Sequence, residues 1–162
     1  PRFRKPPLMY WLVGGHYTLG APVDAPAWGR LPSALAGVAF VSVLYALGRR
    51  FIGRRRAFAA ALAAAMSVIV LRQAKLASTD MWLALCTMTT ALTGALSLRG
   101  ASPRWWLPCF LSMGLGFLIK GPAAIVLPPA AWIAYAWWRR GRVASPLRQP
   151  AFWWGIALCV AI

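Results

Sequence analysis

Apolar runs of membrane-spanning length recur along this chain and restrict the folds open to it. A helix needs roughly 17 to 25 apolar residues to cross the hydrocarbon core of a bilayer. The sequence is 60% hydrophobic and only 12% charged, whereas soluble domains are typically about a quarter charged. Because hydrocarbon offers no hydrogen bonds to the backbone, such runs must pair their own N–H and C=O groups. We therefore predict an all-α, polytopic transmembrane helix bundle.

Short loops separate the apolar runs and set the predicted span boundaries. The spans are predicted at residues 31–47, 57–76, 81–98, 105–119 and 123–138, with an incomplete sixth at 151–162. Residues 1–30 form an outer-face segment, in which an aromatic run at 7–19 predicts a short interfacial helix because it is too short to span. The chain starts without Met and stops within an apolar run. We expect it to be an internal part of a longer protein.

The basic residues lie between apolar runs, and this placement argues against nucleic-acid binding. The formal net charge is +16, with 18 basic and two acidic residues, but a nucleic-acid surface needs its charge on one soluble face. Arginines in the loops instead set the topology of a membrane protein, and the side with more of them faces the cytoplasm. The richer side carries Arg49, Arg50, Arg54, Arg55, Arg56, Arg99, Arg104, Arg139, Arg140, Arg142 and Arg148.

The opposite, outer side carries charges that topology does not require. It holds all three lysines and both carboxylates of the chain, together with four arginines. Its members are Arg2, Arg4, Lys5, Asp24, Arg30, Arg72, Lys75, Asp80 and Lys120. Ionisable groups at membrane depth are functional by default. The chemistry of this protein is therefore expected on the outer face.

Each outer-face candidate has a structural and a functional interpretation. Lys5 either extends to the lipid–water boundary or binds a phosphate, and Lys120 either belongs to a turn or stabilises a leaving phosphate. Arg72 and Lys75 are three residues apart and share a helix face. They either reach the interface or contact a substrate phosphate. Asp80 either begins a helix or lines a site in the membrane.

Five segments in order resemble the membrane region of a known enzyme family. They read "FRKPPLMYWL", "GRLPSALAG", "LGRRFIGRRRAFAAALAAAMS", "LASTDMWLAL" and "GLGFLIKGPAAIVLP". They are similar to the protein O-mannosyltransferase-like family, which includes the aminoarabinose transferase of lipid A. The resemblance covers nearly the whole chain. It implies a GT-C glycosyltransferase that uses a sugar carried on a polyprenyl phosphate and works at the outer or lumenal face.

The resemblance also implies roles for individual residues. Lys5 of the "KPP" motif and Lys120 of "KGP" would hold the carrier phosphate. Asp80 would be a cavity carboxylate that binds sugar or acceptor, while the catalytic base is expected before Pro1. Arg4 stands where many members have Glu, so no metal ligand is assigned. No cofactor is assigned either, and nothing in the sequence supports a divalent metal.

The predicted function is transfer of a sugar from a polyprenyl-phosphate donor to a lipid or protein acceptor. The predicted location is a bacterial inner membrane, with membrane lipids around the helices and the active face towards the periplasm. Two alternatives remain open from the residues alone. A transporter or flippase for a lipid-linked anion would use the same cations without a base. A non-catalytic membrane scaffold would need the charges only for topology.

Overall fold

The computed structural model describes residues 11, 14, 15, 18, 26–76, 78–138, 146 and 149–161. Throughout these ranges the regular elements are helices, without a strand. The all-α prediction is confirmed for this part of the chain. The predicted interfacial helix at 7–19 falls largely outside the described residues. The chain divides into two compact units, Pro1–Leu85 and Cys86–Ile162, and each is described by itself.

The first unit is built on one long helix. Helix α1 (Pro26–Ile52) packs against α2 (Arg54–Ala65) and α3 (Val68–Lys75). Helix α4 (Thr79–Leu98) begins in this unit and continues into the second. The structure therefore places helices on the predicted spans at 31–47, 57–76 and 81–98, although their ends differ.

The predicted basic loop at residues 48–56 is helical at nearly every position. Helix α1 continues through Arg49 and Arg50, which lie in its last turn. Cations are favourable there because the helix dipole is negative at its C-terminus. Gly53, with φ at +80°, is the one residue between α1 and α2. A positive φ is readily adopted only by glycine, so a single residue connects two helices that pack against each other.

The predicted span at 57–76 contains a break. Helices α2 and α3 meet at an angle of 57° around Met66 and Ser67. Ser67 has an extended backbone, at φ −66° and ψ 126°, and the β-branched run "VIV" follows it. Serine favours helix starts, and β-branched residues lose side-chain freedom in a helix. The Ala-rich helix therefore stops at this point and a second helix starts.

The second unit contains the rest of α4, a short 3₁₀ turn (Pro103–Trp105) and three further helices. These are α5 (Trp106–Lys120), α6 (Ala123–Trp138) and α7 (Pro150–Ala161). They lie on the predicted spans at 105–119, 123–138 and 151–162. The core gathers around α5 and contains Leu98, Trp106, Cys109, Phe110 and Met113.

Trp106 is the centre of the second unit's packing. Its side chain is 1% exposed, and its indole N–H donates to Oε1 of Gln149 over 2.8 Å. Its ring meets those of Trp132 and Phe152 edge-on, at centroid distances of 5.6 and 5.0 Å. Edge-on pairs are favourable for aromatic rings, and a buried indole needs a hydrogen-bond acceptor. One side chain thus joins α5 to α6 and to the start of α7.

Large apolar side chains also cover the outside of both units. Val68 is 79% exposed, Trp137 85% and Val160 82%. Within the described ranges, Gly29–Ile52 and Thr79–Leu98 are each long and apolar enough to cross a membrane. The bent α2–α3 pair meets the same test when taken as one span, and α6 and α7 are shorter apolar helices. An apolar surface of this kind is suited to lipid contact rather than to water.

A substitution at Gly155 tests the packing of α7 on α5. A Cβ at this position would overlap the ring of Phe110 and approach the carbonyl oxygen of Trp106. We expect Gly155→Val to destabilise the intact protein by about 1–3 kcal/mol, since overpacking forces neighbouring groups to move. Thermal unfolding in detergent measures the effect. Ala157→Val, at an exposed position of the same helix, is the control. Equal midpoints for the two variants would contradict this packing.

Candidate functional site

Two of the predicted phosphate contacts lie in the last turn of α3. Arg72 and Lys75 are both exposed, and the N–H of Leu76 donates to the carbonyl oxygen of Arg72 over 3.1 Å, closing the helix. Cations at a helix C-terminus are stabilised by the helix dipole. Their spacing of three residues places them on neighbouring positions of the helix surface, as the sequence predicts.

An apolar groove has Lys75 in its lining. It lies between α1 and the α2–α3 segment, has a volume of about 420 Å³ and is called the lysine groove below. Its lining consists of Ala34, Gly37, Val38, Val41, Ser42, Ala65, Val70, Leu71, Ala74 and Lys75. Lys75 is the one charged residue in this lining. The groove therefore combines an apolar channel with a single cation, which suits a ligand with an apolar chain and an anionic head.

The floor of the lysine groove is formed by close contact between two helices. A Cβ at Gly37 would lie 2.9 Å from the Cβ of Ala74, closer than side chains normally approach. Only glycine fits here without movement of α3. Small residues that let helices approach are a usual feature of membrane helix packing. The position of α3, and with it that of Lys75, is thus fixed against α1.

A buried serine links α1 to the segment before α4. Ser33 is fully buried. Its Oγ lies 3.2 Å from the carbonyl oxygen of Ser78, to which it donates, and 3.2 Å from the Ser78 N–H, from which it accepts. A hydroxyl can do both at once. The two bonds hold the connector between α3 and α4 against α1.

Asp80 is positioned by the same connector. Its backbone N–H donates to Oγ of Ser78 over 3.0 Å, a helix N-cap contact. Asp80 stands half-buried in the first turn of α4, where the positive end of the helix dipole favours a carboxylate. The sequence predicts this capping arrangement, with Ser78 or Thr79 as the cap. The structure identifies Ser78 as the cap.

Three predicted site residues thus occur around one short connector in the first unit. Arg72 and Lys75 precede it and Asp80 follows it. Lys120 belongs to the second unit, where it is the exposed last residue of α5. Gly121, at φ +75°, follows it, and the Gly121 N–H donates to the carbonyl oxygen of Phe117 over 2.7 Å. The predicted tight turn is present. Lys5 lies outside the described residues.

The sequence motifs assign no role to Ser33 or Gly37, although both stand in the "GRLPSALAG" segment. Their four-residue spacing is a small-xxx-small pattern, which marks close helix contacts in membranes. That pattern is the signal that identifies them. Among the described residues, no three His, Cys, Asp or Glu side chains form a group that would hold a metal ion.

Residues 4–162 match the family model described as dolichyl-phosphate-mannose-protein mannosyltransferase. Over 166 aligned residues the chain is 30% identical to the undecaprenyl phosphate-alpha-4-amino-4-deoxy-L-arabinose arabinosyl transferase 1 of Pseudomonas fluorescens. The alignment covers 99% of this chain and 29% of that relative. The chain therefore spans about a third of the length of this curated relative.

The fold matches a solved structure as well. The crystal structure of ArnT from Cupriavidus metallidurans in the apo state superimposes with a TM-score of 0.83 at 24% sequence identity. The match covers 98% of this chain and 30% of that one. The predicted resemblance and the predicted GT-C fold class are both confirmed. The chain belongs to the dolichyl-phosphate-mannose-protein mannosyltransferase family and has the all-α membrane fold of GT-C glycosyltransferases.

Proposed function

We propose that the whole protein is a membrane glycosyltransferase whose donor is a sugar linked to a polyprenyl phosphate. The names of the family and of the curated relative specify different sugars, but both specify a polyprenyl-phosphate carrier. The acceptor is a lipid or a protein. The lysine groove is the observation that carries the proposal, because a polyprenyl phosphate is a long apolar chain with an anionic head.

The lysine groove is complementary to both the apolar chain and the anionic head of such a donor. Its lining from Ala34 to Ala74 is apolar apart from the hydroxyl of Ser42, so an isoprenoid chain would bury hydrocarbon against it. Lys75, the last residue of α3, is the charged residue of the lining. A lysine ammonium binds phosphate as a compact point charge. Arg72, one turn before it on the same helix, adds a second positive charge.

In the proposed reaction an acceptor hydroxyl or phosphate attacks the anomeric carbon of the sugar. The bond between that carbon and the carrier phosphate breaks, and the phosphodiester becomes a phosphomonoester with one more negative charge. Lys75 supplies a cation for the growing charge, since fixed charges in a poorly hydrated site stabilise it. The family motifs assign the same role to Lys5 and Lys120. Asp80 binds a hydroxyl of the sugar or acceptor. A general base takes the proton of an acceptor hydroxyl as the new bond forms.

The proposed location is the inner membrane, with the reaction at the periplasmic face. The support is the charge distribution. Arg49, Arg50 and Arg54–Arg56 lie at the α1–α2 junction, whereas Lys75 and Asp80 lie at the far end of the α2–α3 segment. The arginine-rich junction is assigned to the cytoplasm by the positive-inside rule. A flippase would also bind the donor but would leave the sugar–phosphate bond intact, so release of free polyprenyl phosphate distinguishes the two.

Replacement of the proposed phosphate cations tests the site. With undecaprenyl-phosphate-linked sugar and the intact protein in detergent, we expect Lys75→Gln to raise the KM for donor about tenfold, as expected for loss of one charge-assisted contact. Lys120→Ala is expected to lower kcat, because it acts on the leaving phosphate. Arg30→Gln removes an exposed charge of α1 outside the groove and serves as the control. An unchanged KM in Lys75→Gln would remove Lys75 from the site.

A double-mutant cycle tests whether Ser33 acts through Asp80. We expect Asp80→Asn to lower kcat/KM at least about tenfold, through loss of charge-assisted hydrogen bonds, with expression unchanged. Ser33→Ala should lower kcat/KM as well, because it releases the connector that carries Ser78. In the Asp80→Asn background the Ser33→Ala effect should largely disappear, since residues of one network are not additive. Multiplicative effects would show that Ser33 has only a general structural role.

A further inference from the structure

A second groove lies between α1 and α2 in the first unit. It has a volume of about 710 Å³ and is called the arginine groove below. Its lining consists of Val41, Ser42, Tyr45, Arg54, Arg55, Phe58, Ala61, Leu62 and Ala65. The two arginines stand at one end of α2 and Ala65 at the other. The proposed donor does not use this groove, because Lys75 lies beyond the α2–α3 break.

The charged end of the arginine groove lacks a counter-ion from its own helix. Arg54, Arg55 and Arg56 fill the first turn of α2, which has no acidic residue, and Gly53 provides no side-chain cap. Positive charges are unfavourable at the positive end of a helix dipole. Asp80 is the one carboxylate among the described residues, and it follows the far end of α3. The groove mouth is therefore complementary to an anion.

The rest of the arginine groove is apolar and has the length of one leaflet. Phe58 is 60% exposed and Leu62 47% exposed, and Tyr45 meets the Phe58 ring edge-on at 6.3 Å. Helix α2 has 12 residues, which corresponds to about 18 Å. One leaflet contributes roughly 15 Å of hydrocarbon. A lipid acyl chain that starts at the arginines would end near Ala65.

We propose that the arginine groove binds an anionic diacyl phospholipid of the surrounding bilayer. Its phosphate lies at Arg54 and Arg55, and one acyl chain follows Phe58, Leu62 and Ala65. The arginine and lysine grooves share Val41, Ser42 and Ala65, so they meet where α2 ends. The phospholipid and the donor thus approach the α2–α3 segment from opposite leaflets. The arginine junction then has a lipid-binding role in addition to setting topology.

Native mass spectrometry of the intact protein tests this site. The protein is released from detergent in the presence of equal amounts of dioleoyl phosphatidylglycerol and dioleoyl phosphatidylethanolamine. We expect about tenfold stronger retention of the anionic lipid, in keeping with the attraction of basic clusters for anionic headgroups. Excess inorganic phosphate should leave the retained lipid in place, because the acyl chain contributes to binding. Equal retention of both lipids, or displacement by inorganic phosphate, would overturn the proposal.

A pair of charge-matched variants separates the groove from general electrostatics. Arg54→Gln/Arg55→Gln removes the two arginines of the lining and should reduce phosphatidylglycerol retention about tenfold. Arg49→Gln/Arg56→Gln removes the same charge from the same junction, at exposed positions outside the lining, and should retain the lipid within about twofold. Equal losses in both variants would contradict a specific site. If the first variant does not accumulate, the comparison of the two lipids on the unmodified protein still tests the proposal.

Discussion

The hydrogen bonds between Ser33 and Ser78 determine where the candidate site lies. A polar group in hydrocarbon is costly unless it is paired, so the hydroxyl of a fully buried serine fixes its partners firmly. Here the partners are the N–H and C=O of Ser78. The Ser78 hydroxyl in turn caps the helix that carries Asp80. The contact of Gly37 with Ala74 holds α3 in the same way. The positions of the Asp80 carboxylate and of the cations Arg72 and Lys75 are thus fixed relative to one helix, α1.

The break between α2 and α3 gives this scaffold two different grooves. A straight helix over 57–76 would present one continuous face to α1. The 57° bend at Met66 and Ser67 instead ends one groove and begins another. Broken helices in membrane proteins are tolerated where they line a cavity, and here Ala65 borders both grooves. An arginine pair and a lysine therefore stand at opposite ends of one bent segment.

Much of the fold was predictable because few backbone structures can span a lipid bilayer. Apolar runs located the helices, and α6 occupies the predicted range 123–138. The helical conformation of residues 48–56 was harder to predict from the sequence. Clustered arginines between apolar runs are typical of loops, but arginines are also favourable in the last turn of a helix such as α1. The bend at Ser67 depends on a local balance of propensities within an apolar run. The order of five motifs was sufficient to indicate the family, because together the motifs extend over nearly the whole chain.

The site was predictable only in part. The spacing of Arg72 and Lys75 placed them on one helix face, and "STD" indicated a capped helix start. Neither pattern reveals a groove, because a groove depends on how closely α1 and α3 approach. Ser33 was missed because a single serine in an apolar run usually carries no function. Its partner lies 45 residues away in the sequence, and only the folded chain brings the two together.

We propose that the lysine groove holds the polyprenyl chain of the donor. Photo-crosslinking measures this directly. A benzophenone amino acid is placed at Leu71, which lines the groove, or at Ile69, which is 73% exposed on the same helix and outside the lining. The intact protein is irradiated with radiolabelled undecaprenyl phosphate. If the groove holds the polyprenyl chain, position 71 is labelled and unlabelled undecaprenyl phosphate suppresses that labelling, whereas labelling at position 69 is weak and unsuppressed. Equal, unsuppressed labelling at both positions would contradict it.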